Sequence, residues 1–286
     1  LDYTADFYNF TKIYFSTNIP MKLKLLLFSV LVSFCTLAGP IKHQISMSEP
    51  FSHYFEVKTT VDVSKETNYV VGLPGKSGDP SPVTAFGVYM GMKAAAKHQF
   101  GSDSLAGKKV AVQGIGHVGA YLVEYLVAEG ADVTITDINQ EALQKLSAQH
   151  GVKVVAPDLI YGIDMDIYAP CALGATVNDE TLSQLKCAVI AGAANNQLKE
   201  EAKHGQILMD RGIIYAPDFA LNAGGVINCF SEVEGLSLEW AKQKAEEIYT
   251  TIDNILIRSK QEGLPSYQVA NRIAEERVQA KGSLNI

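Results

Sequence analysis

Residues 108–137 read KKVAVQGIGHVGAYLVEYLVAEGADVTITD. Lys109–Gln113 is a short, β-branched run of the kind that forms a buried strand. It runs directly into Gly114-Ile115-Gly116-His117-Val118-Gly119, a G-x-G-x-x-G string. A helical pattern opens at Val118 and continues to Glu129. A second strand follows over Val133–Thr136, and Asp137 ends it, 23 residues after the first glycine. The glycine string alone is a weak signal. The order strand, glycine turn, helix, strand, acid makes it a specific one.

Each position has a physical reason. Gly114 permits the tight turn out of the strand, and Gly116 lets the backbone approach a pyrophosphate. Gly119 lets the helix pack against the sheet. Ile115, His117 and Val118 complete the turn whose N–H groups, with the partial positive charge of a helix N-terminus, attract phosphate. Asp137, followed by Ile138, can accept hydrogen bonds from both hydroxyls of an adenosine ribose. Its charge would repel a 2′-phosphate, so the pattern favours NAD over NADP.

Outward from this stretch the chain keeps alternating. Helical patterns cover Ala85–His98 and Gln140–Gln149, and short strands cover Asp166–Tyr168, Ala188–Ala191 and Ile213–Tyr215. Leu238–Gln261 reads as one long helix and Ser266–Ala280 as another. Short strands separated by helices call for parallel pairing with crossover helices. The expected architecture is α/β: a Rossmann-type doubly wound parallel sheet with C-terminal helices, occupying residues 57–286.

Composition narrows the function classes. The 286 residues carry 24 basic and 31 acidic side chains, a net charge of −7, which argues against a nucleic-acid partner. Apolar residues make up 47% and charged residues 19%, enough to build a sizeable core. Cysteines 35, 171, 187 and 229 form no close pair, so neither a disulfide framework nor a metal site is expected.

Residues 1–56 differ from the rest and read as a leader and linker, irregular or helical. Tyr3, Phe7, Tyr8, Phe10, Tyr14 and Phe15 fall in no period. Met21-Lys22-Leu23-Lys24, the apolar run Leu25–Phe34 and the small residues near Ala38 have the form of a secretory signal. The alternative is a misassembled upstream stretch, and it leaves a cytoplasmic location as the expectation. The apolar run is too short to span a bilayer comfortably. No membrane association is expected unless this segment is a true anchor.

From Thr59 onward the sequence resembles the glutamate/leucine/phenylalanine/valine dehydrogenase family, nearest its leucine-type members. The strings that carry the likeness are Ser77–Ala85 (SGDPSPVTA), the glycine turn, Thr136–Asn139 (TDIN), Ile167–Gly174 (IYAPCALG), Ala191–Gln197 (AGAANNQ) and Asn222–Asn228 (NAGGVIN). The resemblance implies NAD-dependent oxidative deamination of an apolar L-amino acid to a 2-oxo acid and ammonia. It implies a nicotinamide-amide contact at Thr84, and a nicotinamide and ribose lining at Ala172, Asn195 and Asn222. Ala223–Val226 would line part of the substrate wall, and a homo-oligomer is allowed.

The family also places a substrate domain before this one, with a glycine-rich string ending in a lysine. No G-G-G-K string occurs here, so the catalytic lysine region is expected to be missing from this chain, and the catalytic residues stay unassigned. The alternative reading is a non-catalytic NAD-binding remnant. Lys76 reads as a solvated loop residue. Its Gly75-Lys76-Ser77 is no P-loop, because Val70 stands where glycine is required. Cys171 reads as a small pocket-lining residue, His117 as solvent-facing, and Glu239–Glu247 as a charged helix face.

Overall fold

Lys109–Gln113 forms a strand, β3, at the centre of a six-stranded parallel sheet. The structure, a computed structural model, describes residues 41–46, 56–61 and 78–282. The leader-like residues 1–38 and the loop around Lys76 lie outside them. In chain order the described elements begin with β1 (Ile41–Ser46) and β2 (Glu56–Val61), an antiparallel pair in register Ile41 to Val61. These two strands lie in and beside the stretch read as a linker.

Helix α1 (Ser81–Phe100) follows, then β3, α2 (His117–Glu129), β4 (Asp132–Thr136), α3 (Gln140–His150), β5 (Lys153–Val154) and β6 (Ile167–Pro170). Next come α4 (Asp179–Gln184), β7 (Val189–Ile190), α5 (Glu201–Asp210), β8 (Ile214–Tyr215), α6 (Asp218–Leu221) and α7 (Gly224–Val233). Helices α8 (Leu238–Glu246), α9 (Ile248–Glu262) and α10 (Ser266–Gly282) close the described chain.

The strand order is β5-β4-β3-β6-β7-β8. The chain starts in the middle, winds out to one edge, returns and winds to the other. Such an order leaves a crevice at the carboxyl ends of β3 and β6, where neighbouring connections leave in opposite directions.

The strands explain the two-sided core. Val110, Val112, Ile167, Ala169 and Val189 pack into one buried cluster with α1, α2 and α9, including Val88, Leu122, Leu126 and Ile252. Their alternate neighbours Ala111, Tyr168, Ile190 and Tyr215 pack into a second, with Met165, Leu182, Leu185 and Leu208. A strand of period two buried on both faces carries apolar residues at every position. Each valine, leucine, isoleucine or methionine side chain among them, when wholly buried, stabilises by ~1.5–3 kcal/mol.

One helix expectation changes. Leu238–Gln261 is two helices that meet at Glu247, whose φ of −63° and ψ of −12° stay helical while its N–H turns to the Lys244 carbonyl. No proline or glycine marks the break. Ala245 and Ile248 are buried on either side of it, so tertiary packing holds both halves.

Local sequence accounts for several ends. Helix α3 starts at Asn139, whose side chain accepts from Ala142 N at 3.1 Å, and stops at Gly151 with φ +69°. Helix α4 starts with a reciprocal cap between Asn178 and Thr181.

Candidate functional site

The site is built from loops at the carboxyl ends of β3, β4, β6, β7 and β8. Gly114 leaves β3 with φ +95°, a conformation that suits only glycine at no cost. A Cβ on it would also lie 2.6 Å from Ala172 Cβ and 2.7 Å from Ala172 N. The glycine turn and the loop after β6 are therefore in backbone contact. A Cβ on Gly119 would overlap the Gly114 carbonyl oxygen. With Cys171 Cβ at 3.4 Å, these contacts bring the first turn of α2 against the ends of β3 and β6.

Gly116 is different. It caps α2 with φ −63° and ψ −165°, and a Cβ there would have no neighbour within 4 Å. No side chain caps this helix. Its first N–H groups lie beside the one glycine of the turn whose Cβ would meet none of the described residues. Such a helix mouth carries about half a positive charge.

Asp137 stands at the end of β4. Its Oδ2 accepts from Ile115 N at 2.7 Å and its Oδ1 from Asn139 N at 2.9 Å. The carboxylate thus ties the turn after β4 to the glycine turn. An ionised carboxylate has about four acceptor positions, so each oxygen still has room for a hydroxyl donor. Ile138, next in sequence, is 90% exposed at the rim.

The second half of the rim gathers Thr84, Asn195 and Asn222. Thr84 lies in the first turn of α1, where its hydroxyl donates to the Pro80 carbonyl at 2.9 Å and keeps its acceptor capacity. Helix α7 presses on this turn: a Cβ on Gly224 would lie 2.8 Å from Thr84 Cα, and one on Gly225 3.0 Å from its Oγ1. Asn222 donates to the Ala193 carbonyl at 3.1 Å and to Asn195 Oδ1 at 2.7 Å. The two asparagines, 27 residues apart, form one polar pair.

The halves join through the loop after β6. A Cβ on Gly174 would lie 2.6 Å from the Asn195 carbonyl oxygen, and Ala175 N donates to Asn196 O at 2.7 Å. His117, with an 83% exposed side chain, sits 3.5 Å from Asp79 in the turn before α1. Burial pushes the Asp79 carboxyl up, but hydrogen bonds from Ser81 and the charge of His117 outweigh it and hold it below the usual value.

Cys171 borders the site, and among the described residues no base is paired with it. Burial pushes its thiol up to about 12, so it is a neutral thiol at pH 7.

Two further residues organise the second half: Asp218, which belongs to none of the motif strings, and Gln197, which ends the Ala191–Gln197 string. Asp218, 7% exposed, accepts from Gln197 N at 2.9 Å through Oδ2 and from Phe219 N at 2.7 Å through Oδ1. Gln197, fully buried, donates to the carbonyls of Gly192 at 2.8 Å and Ala194 at 3.0 Å. The available signal was a Pro217-Asp218 pair four residues before Asn222.

Two other polar clusters lie elsewhere. A groove of about 320 Å³ is lined by Lys109, Asp132, Thr134, Lys153, Val155, Ile163 and Asp164. Lys109 and Asp132 start their strands, so it opens near the amino ends of β3 and β4. Both its lysines are paired, Lys109 with Asp164 and Lys153 with Asp132 at 2.7 Å. Asp179, Glu200 and His204 also approach one another. His204 Nδ1 accepts from Glu200 N at 2.9 Å, so Nε2 carries the proton and faces Asp179 Oδ1 at 3.4 Å. Lys203 holds the other Asp179 oxygen at 2.6 Å. This chemistry is that of a cap and an ion pair, with no imidazole lone pair left for a metal.

Comparison with known proteins gives a consistent likeness. The family described as glutamate/leucine/phenylalanine/valine dehydrogenase matches residues 75–140 and 134–283. Leucine dehydrogenase of Bacillus cereus is 54% identical over 230 residues, which cover 78% of this chain and 63% of that protein. L-tryptophan dehydrogenase of Nostoc punctiforme is 42% identical over 216 residues, covering 76% and 61%. The crystal structure of L-tryptophan dehydrogenase from Nostoc punctiforme superposes with a TM-score of 0.69 at 40% identity, over 70% of this chain and 61% of that one. A glutamate dehydrogenase from Thermus thermophilus, at 22% identity and a TM-score of 0.60 over 73% and 54%, shares the fold. The chain thus spans less than two thirds of the length of these relatives.

Proposed function

The chain belongs to the glutamate/leucine/phenylalanine/valine dehydrogenase family, and from that premise we propose that residues 78–282 bind NAD across the carboxyl ends of the sheet. The observation that carries the proposal is the glycine turn. It is braced by Ala172 and by the Gly119–Gly114 contact, tied to Asp137, and left open at Gly116. The helix mouth would take the pyrophosphate, and Asp137 the adenosine ribose hydroxyls, with Ile138 beside them. Thr84, Ala172, Asn195 and Asn222 would hold the nicotinamide ribose and ring.

The reaction we propose is oxidative deamination of an apolar L-amino acid, with water, to a 2-oxo acid and ammonia. Two electrons and a proton leave the substrate Cα as hydride. The nicotinamide, when bound, supplies the hydride acceptor. The work of this chain's residues is placement: one ring face must be held against the reacting carbon. Correct placement can contribute ~7–11 kcal/mol to lowering the barrier. The identities to leucine dehydrogenases (54%), to a Streptomyces valine dehydrogenase (44%) and to a tryptophan dehydrogenase (42%) support an apolar side chain over an acidic one. Ala223–Val226 at the start of α7 would form part of that wall.

The amino-acid-binding and proton-transferring lysines are proposed to lie outside the residues that match the family. A second reading, an NAD-binding remnant without turnover, shares the binding step and differs only in catalysis. The reaction is proposed to run in the cytoplasm, where NAD is held. Among the described residues no helix is long and apolar enough to cross a membrane.

The test is a fluorescence titration of the purified chain with NADH and NADPH, followed by an assay of L-leucine-dependent NADH production. Saturable NADH binding with weaker NADPH binding is the expected result. Binding without turnover selects the remnant. No binding of either coenzyme overturns the proposal.

A further inference from the structure

Asp218 is a buried carboxylate that no cation pairs with among the described residues. Taking such a charge out of water costs several kcal/mol unless hydrogen bonds offset it. Its partners are backbone groups, and they belong to the rim. Oδ2 holds Gln197 N at 2.9 Å and Oδ1 holds Phe219 N at 2.7 Å, while its own carbonyl accepts from Asn222 N at 2.9 Å. Asn196, just before Gln197, sits at φ +53°, a left-handed conformation that asparagine tolerates but that needs support. One residue thus fixes the turn carrying Asn195 and the short helix α6 that ends at Asn222. These are the two side chains that meet at 2.7 Å.

We propose that Asp218 is a positioning residue for the nicotinamide end of the dinucleotide, acting through the Asn195–Asn222 pair. The inference rests on the NAD reading above. Asp218 does not reach the ligand. It holds the 195–197 turn and α6 in one register so that the pair presents a single arrangement of donors and acceptors. Burial raises its carboxyl above the usual range, and the backbone donors of Gln197, Phe219 and Asn196 oppose that rise. The Tyr215 hydroxyl, close to Asp218, is the titratable group facing it from β8.

The adenosine end provides an internal control. ADP carries the adenosine and the pyrophosphate but neither the second ribose nor the nicotinamide ring. Isothermal titration of the full chain should show Asp218→Asn weakening NADH by roughly 3- to 10-fold, the value of one hydrogen bond, with ADP within about twofold of wild type. If Asp218 acts through the pair, Asp218→Asn in an Asn195→Ala background should add little to the loss from Asn195→Ala alone.

Wild-type NADH affinity in Asp218→Asn, equal losses of NADH and ADP in a folded variant, or additive losses in the double variant would overturn the inference and leave the NAD reading intact. Failure of wild type to bind either ligand overturns both. Asp218→Ser repeats the test if Asp218→Asn unfolds. Its hydroxyl can accept from Phe219 N but is too short to reach Gln197 N. Unfolding of both variants would assign Asp218 to the fold and overturn the inference.

Discussion

Alanine at each glycine of the turn should separate two kinds of steric demand. At Gly119 a Cβ would overlap the Gly114 carbonyl oxygen and lie 3.0 Å from its carbon, all rigid backbone. Forcing a methyl group into such a site costs ~1–3 kcal/mol. For a folded unit of about 200 residues each kcal/mol lowers Tm by roughly 2–4 °C. Gly119→Ala should therefore lose about 2–12 °C without any ligand present. Gly114→Ala adds left-handed strain at φ +95° to a 2.6 Å approach to Ala172, and should lose as much or more. Gly116→Ala meets nothing within 4 Å, and its φ of −63° suits any residue. Its cost is the poorer N-cap, up to ~1 kcal/mol or about 4 °C. Yet its methyl group would stand where a pyrophosphate must approach the backbone. NADH affinity should fall at least about tenfold, a change of ~1.4 kcal/mol. Thermal melts of the free proteins and NADH titrations read the two effects separately. A Gly116→Ala protein that binds NADH like wild type would refute the backbone-approach reasoning. So would one that melts as early as Gly119→Ala, since the protein itself would then need that glycine.

Asp137→Ala should weaken NADH by about tenfold or more and narrow the NADH-to-NADPH affinity ratio, because it removes both the ribose acceptor and the charge that repels a 2′-phosphate; competitive titration of the two coenzymes checks it. Glu129 gives an acid-sensitive contribution to stability. Burial pushes its carboxyl up, but hydrogen bonds from Lys93, Tyr89 and Leu105 N together hold it below the usual 4.5. A depressed carboxyl stabilises the fold fully above the unfolded value and loses that contribution as pH falls through the folded one. Glu129→Gln should therefore cost ~1–3 kcal/mol at pH 7, with the gap from wild type closing below about pH 4.5 in denaturant titrations at stepped pH. Asn178→Ala removes the cap that accepts from Glu180 N and Thr181 N, and should cost ~1 kcal/mol in urea unfolding while leaving NADH affinity unchanged.

How much of this was legible beforehand varies with the range of the forces involved. β3, α2, β4 and α3 fall within a residue or two of their expected bounds, because strand period, glycine and caps such as Asn139 are local signals. β7 and β8, of two residues each, fall inside the expected apolar runs Ala188–Ala191 and Ile213–Tyr215, whereas β5, exposed and held by pairing with β4, carries no such run. Helices α4 to α7 were passed over between motifs. The break at Glu247 lies in a run of good helix formers, and each half is held by what it packs against.

By itself the sequence determined the backbone chemistry of the glycine turn. A left-handed Gly114, a side-chain-free Gly116 and an acid 23 residues on are properties of consecutive residues and of one short crossover. The tertiary structure alone decided which distant loops share that crevice. Ala172 reaches Gly114 because β6 pairs with β3, and Asn195 meets Asn222 because β7 pairs with β8. It also showed that Asp218, invisible as a motif, is the group those loops close upon. Hydrogen bonds between residues far apart in the chain depend on strand order, and strand order is settled by burying both faces of one sheet.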